Sequence, residues 1–197
     1  MKLRELLERR AVGFISGGLF FTALVLFPNS TRGFQGPGDP NIAALQLSWN
    51  VDNFVEILGI WLSSNGLAAI DALRSQLSGL DVMFALSYAF FGGALIARAW
   101  PSGEISDWYI AAPLAASVAD LAENGFLLIA LRDLPPVEPG AIASEAVIAA
   151  SLFASLKFLL LFGSASLILI GLIRCRCRGR NSSVPGKTPT EALGVDE

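Results

Sequence analysis

Four apolar runs separated by polar and charged connections set the pattern of this chain. Crossing roughly 30 Å of hydrocarbon at about 1.5 Å per residue takes about twenty residues, and the runs have that scale. The first covers about 11–28, after a charged amphipathic start, Met1 to Arg10, and closes at Pro28-Asn29. Its core is longer than a signal-peptide h-region, and Phe27-Pro28-Asn29-Ser30 offers no Ala-x-Ala cleavage site, so it reads as a retained span. The second covers about 81–100 and ends on Trp100, an interfacial aromatic, before a Pro101-Ser102-Gly103 turn. The third covers about 109–132, with Trp108 and Tyr109 at its entry. The fourth covers about 145–173 and is long enough to tilt or to project beyond the bilayer.

Between the first two runs, 41–78 has a different rhythm. Phe54, Leu58, Trp61 and Leu62, then Ile70, Leu73 and Leu77, recur at helical spacing with polar residues between them, and Asn65-Gly66 breaks the series. That is the pattern of amphipathic helices and predicts a cap rather than a fifth span. Gly33 to Pro40, rich in Gly and Pro, reads as an irregular hinge before it.

Composition agrees with the pattern: 53% of the 197 residues are hydrophobic and 16% charged, too apolar for an ordinary soluble domain. Charge then sets an orientation. With four spans, Lys2, Arg4, Arg9 and Arg10 lie on the same side as Arg174, Arg176, Arg178 and Arg180, so both termini are expected in the cytoplasm. The cap, carrying Asp39, Asp52, Glu56 and Asp71 against Arg32 and Arg74, is then extracytoplasmic. The fold class expected is an all-α integral membrane protein, a four-transmembrane-helix bundle in one domain over 1–180, with cap helices at about 41–78 and a disordered cytoplasmic tail over 181–197.

The informative residues break the apolar pattern. Asp120, Glu123 and Asn124 lie in the third run and Lys157 in the fourth. Nine strongly apolar residues of the third run contribute roughly −3 to −5 kcal/mol to insertion, against about +2.5 to +3.5 for a central Asp alone. Its carboxyls must therefore be neutral, paired or wet in the assembled bundle. From the helical rise, Glu123 and Lys157 fall at comparable depth, with Tyr88 of the second run near the same level. Asp81, Phe84 and Tyr88 share one helical face, and Asp120, Glu123 and Asn124 another, which predicts one polar cluster of Asp81, Tyr88, Asp120, Glu123, Asn124 and Lys157 under the cap. One lysine neutralises one carboxyl, leaving an ionisable proton for binding, transport or chemistry.

Three uses of the cluster remain open: an ion-pair lock fixing helix register, a binding or proton-handling site, and catalysis with Asp120 or Glu123 as general base and Asp81 assisting. The chain contains no His, which removes the usual neutral-pH acid-base residue and any His ligand, and Cys175-Arg176-Cys177 alone is a poor zinc site. It also lacks a phosphate-binding Gly-rich Lys-Ser/Thr loop and a Gly-x-Ser-x-Gly elbow. No catalytic residue, metal or cofactor is assigned. Gly13-x-x-x-Gly17, and Ala112 with Ala116, read as close-packing stripes.

Asp81-x-x-Phe84-x-x-x-Tyr88, then Asp120-x-x-Glu123-Asn124, with Trp61 in the preceding cap, resembles a group of small bacterial four-span membrane proteins across Leu45 to Leu131. The resemblance implies four spans, a bacterial inner (plasma) membrane location and a polar cluster acting as a unit; it implies no substrate. The function expected is binding or sensing of a lipid or small amphiphile at an intramembrane polar pocket, rather than an enzyme activity. The alternatives are a proton-coupled small-molecule transporter, or an assembly protein whose cluster is only a packing lock. Expected partners are membrane lipid and, in a homo-oligomer, further copies of the chain; nucleic acid is not expected.

Overall fold

A computed structural model describes residues 3–100, 103–132, 134 and 142–181, with side chains to Arg176. The described residues form eight helices: α1 (Leu3–Leu7), α2 (Arg10–Thr31), α3 (Ile42–Gln46), α4 (Val51–Asn65), α5 (Ala68–Ser78), α6 (Leu80–Ala99), α7 (Asp107–Ala130) and α8 (Ser144–Asn181). Four stretches, 10–31, 68–99, 107–130 and 144–176, are long and apolar enough to cross a membrane.

Helices α6, α7 and α8 pack pairwise on one another, and α2 packs against α6. Their directions alternate. Ser30 at the end of α2 donates a 2.8 Å hydrogen bond to Gln76 Oε1 in α5, while Arg98 at the end of α6 reaches back to the Arg9 carbonyl, 3.1 Å away, before α2 begins. Close approach is bought with small residues: a Cβ on Gly171 of α8 would stand 2.6 Å from Ala99 Cβ, so the two helices touch there only because that side chain is missing.

The amphipathic segment folds as expected from its pattern. Phe54, Leu58 and Trp61 of α4 and Ile70, Leu73 and Leu77 of α5 are buried, and they form a core with Leu127, Ala130 and Leu131 at the end of α7 and Val147 and Ala150 at the start of α8. The cap therefore sits across one end of the bundle. Gly66, at φ +65° and ψ −163°, breaks α4 from α5 in a conformation that strongly favours glycine. Arg74 of α5 points its guanidinium at the carbonyls of Leu131, Arg132 and Leu134, so a cation closes the negative end of α7.

Several boundaries differ from the sequence reading. Pro28 does not end α2: close to a helix terminus it removes only one backbone bond, and the Thr31 hydroxyl donates to the Pro28 carbonyl at 3.2 Å. The cap's last helix stacks on α6 across a kink at Gly79, whose N–H still bonds back to Ser75 and Gln76. Trp100 is buried within the protein, with Nε1 donating to the Leu167 carbonyl at 3.1 Å and the Arg174 guanidinium 4.8 Å from its ring. The hinge over 33–40 is tied down, with Phe34 buried against Trp61 and the Trp61 indole donating to Pro40 at 2.9 Å. Helix α8 continues through Arg174–Arg180 to Asn181, so that cluster is helical. The tail expected beyond it, the Cys177 side chain, and Pro101 and Ser102 lie outside the described residues.

Candidate functional site

The polar cluster assembles because α6, α7 and α8 each turn one polar face to the shared interior. On α7, the small-residue face of Ala116 runs on into Asp120, Glu123 and Asn124, and all four are buried. Lys157 enters from α8 and bridges both carboxylates: Nζ lies 2.9 Å from Asp120 Oδ1 and 2.6 Å from Glu123 Oε2. The sequence reading had Lys157 neutralising a single carboxyl. In the structure, residues three apart on α7 present both acids to one ammonium, so α8 is clamped to α7 at two adjacent points.

The other oxygen of Asp120 is also engaged. Tyr88 of α6 donates its hydroxyl to Oδ2 at 3.0 Å, which makes Asp120 the joint between three helices. Asp81, two turns earlier on α6, is buried on the same side. It makes no ion pair among the described residues. One ammonium thus faces three buried carboxyl groups.

Beside this cluster lies a cavity of about 240 Å³. Its polar floor is Asp81, Tyr88, Asp120 and Lys157. Its walls are apolar: Phe27 from α2, Phe84 from α6, and Phe158 and Leu161 from α8. Ile42, Ala43 and Gln46 of α3 close it at the cap end. Phe27 packs edge-on against Phe84, 5.0 Å between centroids, and Phe84 edge-on against Tyr88 at 5.4 Å, so an aromatic rim leads down to the carboxylates.

Of the six residues singled out from sequence, Asp81, Tyr88, Asp120 and Lys157 face this cavity, whereas Glu123 and Asn124 do not line it. Glu123 has no exposed surface. Its Oε1, together with both amide atoms of Asn124, is buried without a hydrogen-bond partner, so the interhelical bonds that a lock would draw from Asn124 are not formed. Sequence reading missed Phe27, Phe158 and the roof from α3. The signal of Phe27 and Phe158 is weak, since each looks like one more apolar residue in an apolar run. Gln46 and Gln76, polar residues on buried cap faces, carried a legible one.

Among the described residues, no group of three or more His, Cys, Asp or Glu side chains is arranged to hold a metal ion. No protein-family model, curated protein or solved structure matches the chain.

Proposed function

We propose that the chain is an integral membrane protein, a four-span bundle with an extracytoplasmic cap, that binds or senses a lipid or other small amphiphile in the cavity beneath that cap. Four long apolar helices support insertion. The basic residues Arg4, Arg9, Arg10, Arg98, Arg174 and Arg176 gather at the bundle end opposite the cap, and the positive-inside rule puts that end, with both termini, in the cytoplasm. A bacterial inner membrane is the location that the resemblance implies.

The observation that carries the binding role is a charged, hydrogen-bonding floor under apolar walls. A volume of about 240 Å³ falls below the roughly 300–1,000 Å³ of typical small-molecule sites, which suits a headgroup or a short amphiphile rather than a whole lipid. Two carboxyl groups on the floor, Asp81 and Asp120, against one ammonium that Glu123 already engages from behind, favour, under an aromatic rim, a head that is cationic or rich in hydrogen-bond donors.

Native mass spectrometry of the full chain in detergent tests this. Wild type is expected to carry a bound small molecule. Asp81→Asn, which leaves the lysine bridge untouched, and Ala43→Phe, which fills the cavity from its roof, are each expected to lose it while unfolding at the wild-type temperature. A wild type that carries nothing would overturn the binding role. The double bridge of Lys157 favours one other reading, a lock between α7 and α8 and nothing more. In that case Lys157→Met is destabilising, Lys157→Met with Glu123→Gln recovers part of the loss, and no ligand signal changes. A pH-dependent flux of the bound molecule in vesicles would make the protein a carrier instead.

A further inference from the structure

A second hollow, which shares no lining residue with this cavity, lies on the flank of the bundle where α2 meets α6 near the basic end. It is a groove of about 640 Å³, lined by Arg10 and Arg98 at one end and by Gly13, Gly17, Phe14, Phe21 and Phe91 along its length. We propose that this groove holds one anionic phospholipid, its phosphate on the two guanidinium groups and an acyl chain along the glycine stripe. The site depends on α2 lying in a membrane but not on anything bound under the cap.

Three features support the assignment. The first is positioning: Arg98 is held by a 3.1 Å hydrogen bond to the Arg9 carbonyl, and its guanidinium lies directly over Gly13, in space that any side chain there would occupy. The missing Cβ of Gly13 is thus what lets a cation from α6 fold over α2. The second is charge. Neither Arg10 nor Arg98 forms an ion pair with a carboxylate among the described residues, unlike Arg4, Arg74 and Arg174. Two exposed guanidiniums lining one groove form an anion site without a paired acid among the described residues, and planar Arg donors match phosphate oxygens. The third is polarity along the axis. From Arg10 at the start of α2 to Phe21 is about 16 Å of helix, charged at the membrane edge and apolar inward. A phospholipid in the leaflet facing the cytoplasm has the same order.

Gly18 supplies a clean steric test. It lines the groove, and a Cβ there would meet nothing within 4 Å, so a leucine fills the hollow without disturbing protein packing. The full-length protein would be titrated in detergent with phosphatidylglycerol or phosphatidylcholine of matched chains, and retained lipid counted by native mass spectrometry. Wild type is expected to retain one phosphatidylglycerol in preference to phosphatidylcholine. Arg10→Gln with Arg98→Gln should lower that retention at least tenfold, and Gly18→Leu should lower it with both arginines in place. Millimolar inorganic phosphate should not displace the lipid, and Asp81→Asn should leave this binding unchanged. Equal retention of the two lipids would overturn the proposal. So would full retention in Gly18→Leu, displacement by free phosphate, or an equal loss in Arg174→Gln, which removes a basic residue at the same end but outside the groove.

Discussion

The two hollows of this molecule place charge in opposite ways. Under the cap, one ammonium and three carboxyl groups are sealed among α6, α7 and α8, and every element around them is fixed by packing. Toward the basic end of α2 and α6, the exposed guanidiniums of Arg10 and Arg98 line an apolar groove, that of Arg98 held by a backbone carbonyl. A buried charge must be paired within the protein, because leaving one partner alone in a low-dielectric interior costs several kcal/mol. An exposed charge at a membrane edge can leave its pairing to whatever approaches from outside. The first arrangement therefore ties stability to function, and the second separates them.

The largest expected effect tests the first half of that contrast. Lys157→Met leaves Asp120 and Glu123 buried with no cation, and should destabilise the bundle by about 3–5 kcal/mol, measured by reversible unfolding in mixed micelles. Tyr88→Phe in the same cluster should cost only about 1 kcal/mol, since Asp120 keeps its ammonium when the phenol is lost. If the two losses were equal, the lysine bridge would not be the clamp between α7 and α8.

Packing at the basic end is the next effect in size. Gly171→Leu drives a side chain into Ala99 and Trp100, whose atoms already stand 2.6 and 2.7 Å from where a Cβ would lie. The expected cost is about 1–3 kcal/mol, with a change in Trp100 fluorescence as its indole leaves the Leu167 carbonyl. At the capped end, Arg74→Gln removes the cation that closes α7 and should cost about 1 kcal/mol, visible as faster backbone hydrogen exchange over Leu127 to Leu131. Unchanged exchange there would mean that the cap is held by its apolar core alone.

How much of this was legible depended on whether a residue contradicted its surroundings. Asp120, Glu123 and Lys157 stood out because charge inside an apolar run needs a partner, and helical rise alone placed them at one level. Phe54, Leu58, Trp61, Ile70, Leu73 and Leu77 were legible because their spacing names a face. The cavity walls were not, because Phe27 and Phe158 are apolar residues in apolar helices and only the third dimension shows which of them face a hollow. The division of the polar residues into cavity floor and buried clamp was equally hidden: Glu123 lies three residues from Asp120, and a few tens of degrees of helix rotation decide which one meets the cavity. The groove was half legible, as the Gly13-x-x-x-Gly17 spacing announced a close approach but not that an arginine from α6 would fill it.

The smallest expected effect tests the other half of the contrast. Arg98 is exposed and its side chain donates to a backbone carbonyl, so Arg98→Gln should change stability by no more than about 0.5 kcal/mol in lipid-free detergent. Added phosphatidylglycerol should then raise the unfolding temperature of wild type but not of the variant, because a ligand stabilises only the fold that binds it. A loss of several kcal/mol without lipid would place Arg98 among the packing residues, like Lys157 at the other end. A small loss without lipid and a clear difference with it would separate the two hollows as the structure does: one charge held by the protein for its own assembly, the other held out for a molecule of the bilayer.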